Sequence, residues 1–194
     1  MRFSRVAAMI MGAWLGISFV FIYLAASGFE HATANLNTAP PQLAQTLQAV
    51  PQSSQRALLR YYELEQNRFY FDFWENTELV IGFLLILVLF FGLESRLMSA
   101  LTLAMVLIVS FQHLFISPEL NWLGRGIEFV PWSAQSQPRD QFWRLHMLYI
   151  ALEVLKIAVG GAVSMLLITA QRRRRSRHQE DDDDMIEKRL ARAR

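Results

Sequence analysis

Residues 145–170 read LHMLYIALEVLKIAVGGAVSMLLITA, and this run contains the features that decide the fold. It is apolar and exceeds the roughly 20 residues that a helix needs to cross a bilayer. It nevertheless carries Glu153 and Lys156, which lie near one helical stripe together with His146. A charged side chain in an apolar span is costly unless it faces protein or water. We therefore expect this helix to pack against other membrane helices that present polar groups to it.

Composition places the chain among membrane proteins and excludes several kinds of chemistry. Of its 194 residues, 53% are hydrophobic, and they are concentrated in long runs. The chain has no cysteine, which excludes disulfides, zinc–thiolate sites and thiol catalysis. No strong basic surface with interleaved aromatic residues is present, so nucleic acid is not an expected partner. The expected partners are the lipid bilayer and either another membrane protein or a second copy of the chain.

Four apolar runs predict an all-α, antiparallel four-helix bundle that is integral to the membrane. The predicted spans cover residues 6–28, 72–93, 97–117 and 143–170, within one transmembrane domain at 1–170 that precedes a charged cytoplasmic tail at 171–194. The first run follows Arg2 and Arg5, as in a signal peptide, but its length of about 20 residues exceeds the usual 7–15 of a signal core. A retained helix is favoured, and a cleaved signal remains the alternative.

The second span predicts an amphipathic helical extension outside the membrane. Its charge-free part, residues 79–93, rises only about 22 Å, which is short of the roughly 30 Å hydrocarbon core. The span must therefore begin near Trp74, and this draws Glu75 and Glu78 into the bilayer. The preceding residues, from Ser53 onward, are predicted to continue the same helix along the membrane surface. Residues 41–50 predict a separate short helix, and residues 117–138 are predicted to form a loop.

Arginine distribution predicts the orientation. With four spans, Arg2, Arg5, Arg96 and the run at 172–175 all fall on one side. Cytoplasmic ends of membrane helices carry an excess of arginine and lysine. Both termini are therefore predicted to be cytoplasmic, in a multi-pass protein of the cell inner membrane, and the helical extension is predicted to be extracytoplasmic.

Ionisable residues on three spans are predicted to lie at a common depth. Counted from the cytoplasmic end of each span, Glu78 lies about 22 Å deep, His113 about 24 Å, and Glu153 and Lys156 about 25 and 21 Å. With Gln112 they predict a buried polar layer in the outer leaflet. Lys156 is expected to pair with Glu153 or Glu78, and an acid left without a cation is expected to be protonated or bonded to His113 or Gln112.

Histidine-based cofactor sites are weaker hypotheses. Haem held between His113 and His146 would use ligands from facing helices, but His146 is predicted to lie roughly 12 Å higher. The same histidines with Glu78 and Glu153 are weak candidates for a divalent metal, and no metal-binding spacing supports them. No catalytic constellation and no cofactor are therefore predicted. Arg68, Glu75 and His146 flank the layer as further candidate site residues.

Four segments resemble the transmembrane protein 205-like domain-of-unknown-function membrane family. They are WLGISFVFIYLA at 14–25, EQNRFYF at 65–71, FQHLF at 111–115 and FWRLHMLYIALEVLKIAVGG at 142–161. The resemblance implies an integral membrane protein with four helices and no assigned reaction. It also implies that Arg68, His113 and His146 are the family-type positions, whereas Glu153 and Lys156 are not expected from it.

Three functional hypotheses follow. The first, which the sequence favours slightly, is a non-enzymatic structural or accessory membrane component whose polar layer fixes helix packing. The second is a small transporter or a proton- or ion-coupled permeation element, for which intramembrane acids are typical. It predicts a water-reachable cavity that leads down to Glu78 and Glu153. A haem or metal protein is a third and weaker alternative.

Overall fold

The computed structural model describes the backbone of residues 2–37, 40, 42, 45, 49–92, 95–128, 130 and 137–192. It describes the side chains of the same residues except 2, 25–37, 92 and 171–192. Statements about the structure below refer to these residues.

The described chain is helical. Its helices are α1 (Arg2–Asn37), α2 (Gln52–Gly92), α3 (Arg96–Phe111), α4 (Ser117–Ile127) and α5 (Gln137–Arg192). A five-residue π-helical turn, Gln112–Ile116, joins α3 to α4 without a break. Four stretches are long and apolar enough to cross a membrane: one each in α1, α2 and α5, and one that runs from α3 through the π turn into α4. The all-α four-helix prediction is confirmed, and the protein is a multi-pass membrane protein.

Neighbouring helices in the bundle run antiparallel. Helix α1 packs between α2 and α5, and α3 packs between the same two helices from the other side. Trp14 contacts Glu78, whereas Phe21, two turns later on α1, stacks on Trp74 with ring centroids 4.7 Å apart. Residue numbers therefore rise along α1 as they fall along α2. We call the end of the bundle that carries Arg5 and Arg96 the arginine end, and the opposite end the α4 end.

Two glycines allow the helices to approach closely at mid-bundle. A β-carbon on Gly82 would collide with the Val106 side chain of α3 and would lie 3.1 Å from the Trp14 ring of α1. A β-carbon on Gly160 of α5 would lie 2.7 Å from the Leu15 side chain of α1. Small residues at such crossings are typical of membrane helices, because van der Waals contact replaces the hydrophobic effect between helices in lipid.

The surface of the bundle is apolar, as contact with lipid requires. Large hydrophobic side chains on all four spans remain exposed, among them Phe19, Phe83, Leu107 and Val154. A soluble protein of this size rarely exposes so continuous an apolar surface. Glu75, Glu78, Gln112 and Lys156 are buried instead and belong to the site described below.

Two predictions about the connections need correction or remain outside the description. Residues 117–138 were predicted to form a loop, which is wrong for the first half, because Ser117–Ile127 is helical. Pro118 lies in the first turn of α4, directly after the π turn, and its fixed φ is compatible with helical backbone, so this proline does not end the helix. The short helix predicted at 41–50 falls largely on residues that lie outside the description.

Helices α1 and α5 also extend beyond their predicted spans. Helix α1 continues to Asn37, nine residues past the predicted end of the first span at 28. Helix α5 continues to Arg192, so the backbone of the charged tail prolongs the last span. Helix α2 begins at Gln52 and runs without interruption to Gly92, as the predicted extension requires.

Candidate functional site

A buried lysine bridges two acidic residues at the centre of the bundle. The Nζ atom of Lys156 donates to both carboxylate oxygens of Glu78 and to Oε1 of Glu153, each over 2.7 Å. The side chain of Lys156 is 1% exposed and that of Glu78 is fully buried. An ammonium group has three donors, and all three are used here. Lys156 is therefore fully satisfied by groups from α2 and α5.

Other helices supply further partners to the same carboxylates. The indole Nε1 of Trp14, on α1, donates to Glu78 Oε1 over 2.8 Å. The amide Nε2 of Gln112, in the π turn, lies 3.2 Å from Glu153 Oε1 and 3.3 Å from the backbone carbonyl of Tyr149. We call this set the lysine cluster, and it comprises Trp14, Glu78, Gln112, Glu153 and Lys156. Because its members come from α1, α2, the π turn and α5, it ties all four spans together.

A second group surrounds Glu75, one turn nearer the α4 end. His113 Nδ1 lies 3.1 Å from Glu75 Oε2. On the other oxygen, Oε1, the hydroxyl of Tyr149 donates over 3.0 Å, and the hydroxyl of Ser117 donates a short hydrogen bond. Glu75 itself is 1% exposed. We call Glu75, His113, Ser117 and Tyr149 the Glu75 cluster.

The π turn explains how consecutive residues serve both clusters. Adjacent residues on a regular α-helix point about 100° apart, and a π turn widens the helix by one residue per turn. Gln112 faces α5 and bonds Glu153, whereas His113 faces α2 and bonds Glu75. Such turns inside longer helices are frequent at functional sites. The turn also carries the helix on into α4, which places Ser117 beside Glu75.

A cavity of about 1090 Å³ lies above the Glu75 cluster, at the α4 end. It is enclosed by the first half of α2, by α4 and by the first turns of α5. The walls mix apolar and basic side chains, including Leu59, Leu64, Phe71, Ile127, Phe142 and four arginines at 56, 60, 68 and 139. The lining residues nearest the Glu75 cluster are Asp72, His113, Ser117 and Tyr149. Three of these four contact Glu75, so the cavity ends at the Glu75 cluster.

An ion-paired arginine joins two walls of this cavity. Arg68 of α2 forms ion pairs with Glu65 on its own helix and, over 3.5 Å, with Glu128 just after α4. The side chain of Arg68 is 13% exposed and that of Glu128 is 3% exposed. The pair with Glu128 holds the outer half of α2 against the end of α4 and keeps the cavity walls in place.

The predicted candidates therefore separate into three places. Glu78, Gln112, Glu153 and Lys156 contact one another, and His113 lies beside Glu75 instead. His146 lies in the cavity wall, where its ring stacks on Phe142 with centroids 5.7 Å apart and planes 9° apart. Arg68 lies in the opposite wall. Within the described part of the chain, no group of three or more histidine or acidic side chains could hold a metal ion.

Sequence reasoning did not include four side chains that lie in or beside the two clusters. Trp14 and Ser117 could not be identified from the sequence, because a single tryptophan or serine in a membrane helix does not indicate which side chain it contacts. Ser18, whose hydroxyl lies 3.4 Å from Glu78 Oε1, is a similar case. Tyr149 could have been found, since its spacing of four and seven residues from Glu153 and Lys156 places it on their helical stripe.

No family model, no curated protein and no solved structure matches the chain. The resemblance to the transmembrane protein 205-like family therefore stays a prediction.

Proposed function

We propose that this protein is a small membrane permeation element that moves protons across the bilayer, and that it is not an enzyme. The observation that supports this most directly is the shape of the cavity at the α4 end. It runs inward from one end of the bundle and stops at three side chains, His113, Ser117 and Tyr149, that all contact the buried carboxylate of Glu75. Water in the cavity would thus lie one side chain away from an intramembrane acid.

The charges of the two clusters add a second argument. They contain three carboxylates, Glu75, Glu78 and Glu153, against one ammonium, Lys156. Even with a positive charge on His113, three negative charges would face two positive ones. An unbalanced charge is strongly disfavoured inside a membrane protein, where neutralisation by a proton relieves the cost. The clusters therefore favour holding at least one exchangeable proton, which a proton pathway requires.

An apolar layer closes the bundle on the side of the arginine end. Its side chains come from α2, α3 and α5 and are fully buried: Leu85, Leu89, Met105, Val163 and Leu167. The cavity described above opens toward the α4 end, on the other side of this layer. We propose that each proton crosses when this apolar layer rearranges, as in alternating access, so that conduction is slow compared with an open channel.

The orientation belongs to the same proposal. If the arginine end is cytoplasmic, as the positive-inside tendency favours, the cavity opens to the extracytoplasmic side of the inner membrane. Protons would then enter from the more acidic compartment of an energised cell.

A structural or accessory role is the second candidate, and the lysine cluster supports it. Every donor of Lys156 is used, and Glu78 and Glu153 receive further donors from Trp14 and Gln112. A fully satisfied polar network is well suited to fixing helix register. On this reading the protein would support another membrane protein or a second copy, and Glu75 would carry no proton across the membrane.

Proton flux in vesicles separates the two candidates. The full-length protein is reconstituted into liposomes that contain the pH indicator pyranine, and a potassium diffusion potential is imposed with valinomycin. We expect faster proton entry than in protein-free liposomes, and we expect Glu75→Gln to abolish the difference. Glu119→Gln is the matched control, because Glu119 is an exposed glutamate on α4. Wild-type flux equal to that of protein-free liposomes would refute the proposal and favour the accessory role.

A further inference from the structure

We propose that His113 is the side chain that carries protons between the cavity and Glu75, with Asp72 as the group that collects them at the cavity surface. This inference rests on the proposed function and assigns its entry step to particular atoms. Its basis is the position of one nitrogen between two carboxylates. His113 Nδ1 lies 3.1 Å from Glu75 Oε2 and 4.0 Å from Asp72 Oδ1.

The exposed fraction of the side chain increases from Glu75 through His113 to Asp72. Glu75 is 1% exposed, His113 is 23% exposed and Asp72 is 67% exposed. Asp72 and Glu75 are three residues apart on α2, so they lie on the same face of that helix about one turn apart. His113 comes from the π turn opposite. The imidazole therefore spans the boundary between the wet end of the cavity and the dry interior.

The two partners of His113 compete for the same ring nitrogen. The distance to Glu75 is that of a hydrogen bond, and the distance to Asp72 is about 1 Å too long for one. A small shift of the side chain toward the cavity would exchange one partner for the other. A histidine with a purely structural role needs one fixed partner, whereas a proton carrier needs a donor and an acceptor within reach of one small movement.

The transfer is balanced in atoms and charge. A neutral imidazole with its hydrogen on Nε2 takes a proton at Nδ1 from hydronium or from the protonated carboxyl of Asp72. The imidazolium then gives the Nδ1 proton to Oε2 of Glu75. Asp72 ends as a carboxylate, Glu75 as a neutral acid, and His113 again carries its hydrogen on Nε2. Histidine is suited to this step because its charge changes near neutral pH.

The surroundings of Glu75 direct the proton to one oxygen. Ser117 and Tyr149 both donate to Oε1, which leaves Oε2 toward His113. The ionisable groups facing the imidazole in the described structure are Asp72 and Glu75 from α2 and, next to Glu75, Tyr149 from α5. Arg68 and His146 line the same cavity farther out.

The rate at which Glu75 gains a proton tests this assignment without requiring transport. The full-length protein in detergent is subjected to a rapid drop in pH, and infrared difference spectroscopy follows the carboxylic C=O band that Glu75→Gln removes. We expect His113→Ala to slow the rise of this band by at least about tenfold, a threshold below the roughly 100- to 10,000-fold that general acid–base groups contribute. Added imidazole should restore the rate in His113→Ala and leave Glu75→Gln without the band. His178→Ala, in the charged tail, is the matched histidine control.

Each outcome bears on one of the two proposals. An unchanged rate in His113→Ala, or a slow rate that imidazole does not restore, would overturn the role of His113. If His113→Ala does not fold, His113→Gln keeps a polar side chain of similar length and must show the same slowing. Absent wild-type flux in liposomes would refute the proposed function, whereas flux that His113→Gln leaves undiminished would overturn only the inference about His113.

Discussion

Replacing Lys156 by methionine is the sharpest test of the lysine cluster. Methionine keeps most of the side-chain length and removes the ammonium, so Glu78 and Glu153 lose all three 2.7 Å hydrogen bonds from it. Removing one partner of a buried ion pair costs about 3–5 kcal/mol, because the other charge stays buried without compensation. We take this range as an upper bound, since the two acids can instead take up protons, which lowers the cost.

Reversible unfolding in mixed micelles of dodecyl maltoside and SDS, followed by circular dichroism, measures this cost. A double-mutant cycle with Glu78→Gln isolates the interaction free energy between Lys156 and Glu78 from the effects that each substitution has on other residues. The double variant should be more stable than the sum of the single effects implies, by about 1–3 kcal/mol, which is the upper part of the range for contacting residues. The only other lysine, Lys188, lies in the tail and provides the matched control Lys188→Met.

Two results would refute the reasoning. One is a loss of less than about 1 kcal/mol in Lys156→Met, which is the size expected of an exposed ion pair. The other is strict additivity of Lys156→Met and Glu78→Gln, which would mean that the two side chains do not interact in the membrane-embedded protein.

Three further substitutions test the packing around the two clusters. Gly82→Ala should destabilise the bundle by about 1–3 kcal/mol in the same unfolding assay, because the added methyl group overpacks the crossing of α1, α2 and α3. Trp14→Phe should cost about 1.5–3 kcal/mol, since it keeps the ring and removes the hydrogen bond to the Glu78 carboxylate. Arg68→Met should accelerate amide hydrogen exchange in α4 while leaving α3 unchanged, because it breaks the ion pair to Glu128 that holds α4 against α2.

Matched controls exist for two of these variants. A β-carbon on Gly12 would have no neighbour within 4 Å, so Gly12→Ala should be neutral or slightly stabilising where Gly82→Ala is not. Equal effects of the two alanines would contradict the close crossing at Gly82. Arg125 forms a largely exposed ion pair with Glu65, so Arg125→Met should barely change exchange in α4. Similar acceleration in both arginine variants would contradict the special role of Arg68.

The sequence by itself determined the membrane class and the number of spans. Long apolar runs can form only helices in lipid, because every backbone N–H and C=O must be paired within the segment. It also indicated that Glu78, Glu153 and Lys156 belong together, since charges at similar depth on different spans must meet or be neutralised. Residues 117–127 were wrongly predicted to form a loop; the fixed φ of Pro118 in their first turn is compatible with a continuing helix.

The tertiary structure alone decided how these charges are distributed. The helical rise per residue gives the depth of a side chain in the membrane but not the direction in which it points. Counting residues therefore could not show that His113 faces Glu75 while its neighbour Gln112 faces Glu153. That division depends on the π turn, whose extra residue no sequence pattern in this span marks. The cavity likewise depends on how α4 packs between the outer half of α2 and the first turns of α5, which is a matter of packing between distant segments. Local sequence determines which helices form and how deep they sit, and only their mutual packing determines which side chains meet.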